Sequence, residues 1–305
     1  MSELVFTDEV RAALAEGRPV VALESTIIAH GLPYPRNLEA AEMLEAELRA
    51  GGAAPATIAV LGGRIHVGLD PGALARLARD GGGFAKLGTR DLGHALARGR
   101  DGATTVSATM TIAHRADIAV FATGGIGGVH RGAAHSFDVS ADLAELARTP
   151  VAVVCAGAKA ILDLPKTLEL LETWTVPVIG VGTDTFPAFW CRSSGLALDQ
   201  RCDTAAEIAT ALAAHWRLGG AGAVVANPIP EADALPSDMI EAAIATALGE
   251  AEAQRISGKK VTPFLLARIE ALTEGRSVAA NVALARANAR LAAAIATALI
   301  GASAR

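Results

Sequence analysis

The chain carries lysine at only five positions, 86, 159, 166, 259 and 260, and meets the rest of its need for cations with arginine. Arginine stays protonated in a protein, whereas a desolvated lysine can act as a neutral amine that adds to an electrophilic carbon and forms a Schiff base. Lys159 is the one placed for that chemistry. It follows Val151-Ala-Val-Val-Cys-Ala-Gly157, an apolar strand end with a small-residue turn, where burial disfavours an ammonium ion. Taken by itself, Lys159 reads first as an exposed solubilising charge and second as such an amine; for Lys259-Lys260, in a polar turn between helices, the exposed charge is the adopted reading.

Acids supply a second group. Glu24 ends an apolar run and is followed by Ser25-Thr26; it is either a solvated strand end or a carboxyl desolvated enough to donate a proton. In Asp138-Val-Ser-Ala-Asp142 two carboxylates and a hydroxyl sit where a loop turns into a helix. Ser140 reads as an N-cap and Asp142 as a first-turn acid. The same arrangement offers N–H groups to a phosphate and an oxygen ligand to a hard divalent ion such as Mg²⁺ or Mn²⁺. Gly124-Gly-Ile-Gly-Gly128 accommodates neither dinucleotide-binding nor P-loop spacing. It reads as a turn with Thr123, His130 and Arg131 around it, either purely structural or open to close approach of an anion.

Short β-branched runs and Ala/Leu/Glu-rich stretches must position these groups. Strands are expected at 19–24, 56–61, 64–69, 103–106, 118–122, 151–155, 176–181 and 223–226, with a helix over 36–50 closed by Gly51-Gly52. Gly62-Gly63 marks a hairpin, so the sheet is mixed. After Asp238 strand signals stop, and helices are expected over 239–257, 264–272 and 278–300. The fold class is α/β: a mixed sheet sandwiched between helices (α/β/α) with an α-helical C-terminal cap, residues 1–305 forming a single domain. The Ala-rich faces of the cap suggest an oligomer.

Composition narrows the function classes. With 51% hydrophobic and 19% charged residues the chain buries enough surface to fold. Its net charge of −5 provides no basic field for nucleic acid or an anionic membrane. No uncharged run reaches the roughly 18 apolar residues of a membrane span, and the acidic start lacks the pattern of an export signal. Three cysteines without Cys-x-x-Cys spacing suggest neither a disulfide framework nor a zinc site. A cytoplasmic location is the expectation.

Four strings give the chain a family resemblance: Leu23-Glu-Ser-Thr-Ile-Ile-Ala-His-Gly-Leu-Pro-Tyr-Pro35, Phe121-Ala-Thr-Gly-Gly-Ile-Gly-Gly-Val-His-Arg-Gly132, Ser136-Phe-Asp-Val-Ser-Ala-Asp-Leu-Ala-Glu-Leu146 and Val154-Cys-Ala-Gly-Ala-Lys159. Together they resemble the pseudouridine-5′-phosphate glycosidase family, also called indigoidine synthase A-like. The resemblance runs from about Val20 to Ala302. It implies reversible cleavage of the C–C glycosidic bond of pseudouridine 5′-phosphate to uracil and ribose 5-phosphate, in pseudouridine catabolism, with Mn²⁺ or another divalent ion bound and a homotrimeric assembly. Residue by residue, it implies Lys159 as nucleophile, Glu24 as proton donor and Asp138 as metal ligand. Ser140, Ala141 and Asp142 match a substrate-contacting loop, and Lys86 and Val106 match two further substrate contacts. Thr123, His130 and Asn281 are assigned to phosphate, ribose and base recognition. The departures, Ala160 where a serine is common and His114-Arg-Ala-Asp117 in place of an Ala-Gly turn, touch no residue of the mechanism. The competing readings are a nucleoside or sugar kinase, weakened by the missing ATP motif, and a non-catalytic sugar-phosphate-binding or pigment-biosynthesis accessory protein.

Overall fold

The computed structural model describes residues 4–256, 258 and 261–303. The expected polar turn at Lys259-Lys260 and the expected helix end at Ser257 lie outside the described residues. Strands are β1 (Val5–Phe6), β2 (Val20–Leu23), β3 (Ala54–Leu61), β4 (Arg64–Val67), β5 (Ala85–Leu87), β6 (Gly102–Thr104), β7 (Val120–Ala122), β8 (Ala152–Cys155), β9 (Val178–Val181), β10 (Gln200–Cys202) and β11 (Ala223–Ala226). Helices are α1 (Asp8–Ala15), α2 (Thr26–His30), α3 (Arg36–Ala50), α4 (Pro71–Asp80), α5 (Thr89–Ala97), α6 (Val106–Arg115), α7 (Ala133–Ser136), α8 (Ala141–Leu146), α9 (Leu164–Thr173), α10 (Ala205–Arg217), α11 (Ser237–Ala253), α12 (Val261–Leu272) and α13 (Arg276–Ser303).

The central sheet runs β3-β2-β7-β8-β11-β9-β10, all parallel. Its middle strands β2, β8 and β11 read Val-Val-Ala-Leu, Ala-Val-Val-Cys and Ala-Val-Val-Ala and are buried throughout, as continuous apolar runs covered on both faces must be. Strand β3 is long enough to belong to two sheets. Residues 54–57 pair with β2, while 58–61 pair antiparallel with β4, and Ala59 and Val60 pair antiparallel with β6. The hairpin expected at Gly62-Gly63 forms, and both glycines take positive φ. Parallel pairing of β5 with β6 and of β1 with β4 completes the mixed sheet.

Helix α6 lies against β2 and β7 on one face; α13 lies across β2, β7 and β8 on the other, between α3 and α10. The C-terminal helices thus form the expected cap, and α13 is also a core helix. By length and composition it is apolar enough to cross a membrane, yet half of it is buried inside the fold. One of its polar anchors is Glu47 of α3, which accepts hydrogen bonds from Arg286 and Arg290.

Two features depart from the sequence expectation. The strand expected over 103–106 stops at Thr104, and Val106 instead begins α6. The β-branched pattern of Thr104-Thr105-Val106 does not register that Thr105 turns the chain as an N-cap. Strands β1, β5 and β10 were not expected. They have two or three residues each, and β5 carries Lys86 at its centre, so no apolar alternation announces them.

Candidate active site

The parallel strands end on one side of the sheet, and the chemistry-bearing residues follow directly from those ends, where α/β folds place their ligands. Glu24 follows β2, Thr123 follows β7, Lys159 follows β8, and Lys86 lies in β5. Two compartments meet there. One, a cavity of about 110 Å³, is lined largely by apolar side chains, among them Leu32, Leu44, Phe189, Leu266 and Val282. The other, about 390 Å³, is more polar and includes Arg90, Ser107, His130, Asp138, Ser140 and Asp142. Glu24, Thr26, Lys86, Lys159 and Thr262 line both.

Glu24 is only 8% exposed. Its Oε1 accepts a hydrogen bond from the Thr123 hydroxyl at 2.5 Å, and its Oε2 accepts from the Thr26 hydroxyl. The carboxyl is therefore held in one plane between adjacent strand ends. Asn288 of α13, fully buried, donates to the Thr123 carbonyl at 2.8 Å and receives a hydrogen bond from Asn227 at the end of β11. This chain of contacts fixes the loop after β7.

Lys159 is half-buried and makes no hydrogen bond or ion pair through its amine to the described residues. Lys166, by contrast, pairs with Asp163 at 2.5 Å on the surface. The backbone presents Lys159 through a turn in which Gly157 takes φ +80° and packs onto the Pro187 carbonyl, too closely for any Cβ. The Lys159 N–H donates to the Ile126 carbonyl at 3.1 Å, tying this turn to the Gly-rich loop. Cys155, fully buried beneath, has its thiol pushed up to about 12 by burial, so it does not compete as a nucleophile.

The Gly-rich loop does receive an anion closely, and that anion is the protein's own. Asp142, 6% exposed, accepts from the N–H of Gly127 at 2.9 Å with one oxygen and from the N–H of Ser107 at 2.9 Å with the other. A Cβ on Gly127 would collide with Ser140 and with Asp142 itself. Asp142 thus pins together the loop after β7, the start of α6 and the start of α8. Ser140 caps α8, its Oγ accepting from the Asp142 N–H at 3.2 Å, and Ala141 follows in the same wall. Val106 is buried and borders the polar compartment.

His130 lies 3.9 Å from Asp138 through its Nδ1. Burial pushes its imidazole below the usual range, and the charges of Lys159 and Lys86 push the same way, against the opposing pull of Asp138. The polar wall thus sets Lys86, Arg90 and Lys159 beside the carboxylates of Glu24, Asp91, Asp138 and Asp142, of which Asp138 is 43% exposed. Among the described residues no group of three or more His, Cys, Asp or Glu is placed to hold a metal. Asp138 is a donor suited to a hydrated hard cation that keeps most of its waters, and not part of a closed protein cage. Asn281 lies on the apolar side, its Oδ1 accepting from the Trp190 indole N–H at 2.7 Å, which turns its amide N–H₂ away from that contact.

The structure brings together the residues that the resemblance assigns to the site: Glu24, Lys86, Thr123, Lys159 and Asn281 line the apolar compartment, and Val106, His130, Asp138, Ser140, Ala141 and Asp142 the polar one; Arg131, beside the Gly-rich turn, pairs instead with Glu241. Sequence reasoning passed over Arg90 and the apolar wall of Phe189 and Leu266. These come from distant parts of the chain and carry no local motif.

Residues 9–298 match the family model described as indigoidine synthase A like protein. The chain is 58% identical over 302 residues to a pseudouridine-5′-phosphate glycosidase of Methylobacterium nodulans, covering 98% of this chain and 89% of the relative. It is 60% identical over 295 residues to one of Solibacter usitatus, covering 96% and 98%. Among solved structures, the prealnumycin C-glycosynthase AlnA in complex with ribulose 5-phosphate superposes with a TM-score of 0.92 at 41% identity, covering 100% of this chain and 99% of that one.

Proposed function

Because the chain belongs to the indigoidine synthase A-like family, we propose that it is a pseudouridine-5′-phosphate glycosidase, cleaving the C–C glycosidic bond to give uracil and ribose 5-phosphate. The observation that carries the reading is the position of Lys159 and Glu24 at the junction of a polar and an apolar compartment. A nucleotide has the same polarity along its length. Phosphate belongs with Lys86 and the loop at Ser140, the base with the apolar walls, and the sugar between them, beside the amine and the carboxyl.

An ordinary glycosidase protonates a heteroatom leaving group and uses two carboxylates. Here the leaving atom is a carbon, and the residues suit a different route. Lys159, as the amine, forms a bond to C1′ while the C1′–ring oxygen bond breaks and Glu24 gives that oxygen its proton. The nitrogen then loses a proton, and its lone pair expels uracil by breaking the C1′–C5 bond. The C5 atom takes up a proton, balancing the one released. Water hydrolyses the iminium left on Lys159, freeing the aldehyde sugar phosphate and restoring the amine, and the proton this releases returns to the Glu24 carboxylate. Thr26 and Thr123 hold the Glu24 carboxyl in its orientation throughout.

A divalent ion, Mn²⁺ or Mg²⁺, is part of the proposal, with Asp138 as its protein ligand; when bound it would order water and offset negative charge beside the sugar phosphate. A homotrimer is proposed on family grounds and is checked by sedimentation equilibrium. The deciding experiment is incubation with pseudouridine 5′-phosphate and Mn²⁺ followed by assay for uracil. Uracil release supports the reading; its absence at enzyme concentrations that release it in the Solibacter relative overturns it.

A further inference from the structure

Helix α2 starts immediately after Glu24, and the four-residue spacing puts Thr26 and His30 on one face, towards the cleft. Both line the apolar compartment. Nε2 of His30 is buried and makes no hydrogen bond to any described residue, although a buried polar atom without a partner is costly. Burial, aided by the charge of Lys86, pushes the imidazole below its usual range, so at neutral pH the ring is uncharged and Nε2 can serve as donor or acceptor according to tautomer.

The helix that carries this ring is held in place. Asn37, buried, donates to the Ile28 carbonyl at 2.8 Å and to the Ala78 carbonyl at 2.7 Å, clamping α2 to α4. Gly81 packs so closely on Ala29 that a Cβ there would sit 2.6 Å from its Cα. A ring carried on a helix held in this way, in a wall that sets Leu32, Leu44 and Val282 beside a few polar groups such as Asn281, is a recognition element for a flat, mostly apolar ligand with a polar edge.

We propose that His30 is a specificity residue for the departing base, its Nε2 hydrogen-bonding the N–H/C=O edge of the pyrimidine while the sugar lies at Lys159. The proposal rests on the glycosidase reading above. It assigns His30 to the base half of the reaction and not to the sugar half, which makes the two halves separable in one experiment.

The test compares wild type, His30→Ala, His30→Gln and His30→Phe. Two readouts are taken: the KM for uracil in the synthetic direction at saturating ribose 5-phosphate, and the yield of borohydride-trapped ribose 5-phosphate adduct on Lys159 with no uracil present. Expected are a uracil KM raised roughly tenfold or more in His30→Ala and His30→Phe, the loss of one hydrogen bond from a buried partner, recovery in His30→Gln to within about threefold, because the amide can still bond the edge, and an adduct yield at the wild-type level in all three. Should His30→Ala not fold, the difference between His30→Gln and His30→Phe gives the same reading. A uracil KM unchanged in His30→Phe, or an adduct yield that falls together with base binding, overturns the assignment while leaving the glycosidase standing. Absence of uracil turnover by wild type overturns both.

Discussion

The hydroxyl of Thr123 donates to Oε1 of Glu24 across the ends of two adjacent parallel strands. Their pairing register brings Leu23 opposite Ala122, so the next residue along each strand, the acid on one and the hydroxyl on the other, meet where the sheet stops. The proton donor of the proposed reaction is thus aimed by strand register. Thr123→Val keeps the shape and removes the donor. It should lower kcat about tenfold, the scale of one lost hydrogen bond to a charged or reacting group, with little change in thermal midpoint. Steady-state kinetics beside a melting curve check this, and an unaltered kcat would remove Thr123 from the mechanism.

Among the described residues Lys159 has no ion-pair partner to lose, so its replacement tests nucleophilicity cleanly. Lys159→Arg retains the charge that acts on His130 but supplies no amine. It should be as inactive as Lys159→Ala. Mass spectrometry after borohydride reduction with ribose 5-phosphate should find a sugar adduct on the peptide containing Lys159 in wild type and in neither variant. Turnover by Lys159→Arg would exclude amine catalysis at this position.

Asp142 is a clamp on backbone N–H groups. Asp142→Ala leaves the amides of Gly127 and Ser107 without their acceptor and should cost about 3 kcal/mol of stability. Asp142→Asn keeps one acceptor oxygen and should cost less. Urea unfolding of the three proteins measures the order, and equal stability of Asp142→Ala and wild type would contradict the clamp.

Asp138, in contrast, is half-exposed and its carboxylate pairs only weakly with His130, at 3.9 Å. Asp138→Ala should leave the urea midpoint close to wild type and abolish the recovery of activity that Mn²⁺ produces after chelator treatment. A variant that still recovers would place the ion elsewhere.

Glu47 ties α3 to α13, and the hydrogen bond from Arg290, helped by that from Arg286 and by both charges, outweighs burial and lowers its carboxyl from 4.5 to about 2. Its folded value lies below its unfolded value, so the stability it contributes is complete above about pH 5 and is lost as pH falls from 4.5 towards 2. Glu47→Gln should therefore be less stable than wild type at pH 7, with the gap narrowing steadily below pH 4.5. Urea midpoints measured across that range decide it, and a gap independent of pH would deny the linkage.

Some of this was legible along the chain because the physics is local. The buried runs of β2, β8 and β11 announce themselves by composition, Gly62-Gly63 by the positive φ that a tight hairpin needs, and α3 by its apolar spacing and closing glycines. Lys159 was picked out because one cation type is scarce, and Glu24 because a charge ends an apolar strand. What the sequence could not supply is adjacency. Residues 24, 123 and 159 are joined by parallel crossovers whose lengths say nothing of register, and Lys86 arrives in a three-residue strand that forms only because β6 is there to pair with it. The identity of the Gly-rich loop's anion, an aspartate fifteen residues on, depended on how α6 and α8 pack. His30 in the strand-to-helix string was visible as a residue type, but that its Nε2 has no partner among the described residues is a property of everything packed around it, and only the folded chain decided that.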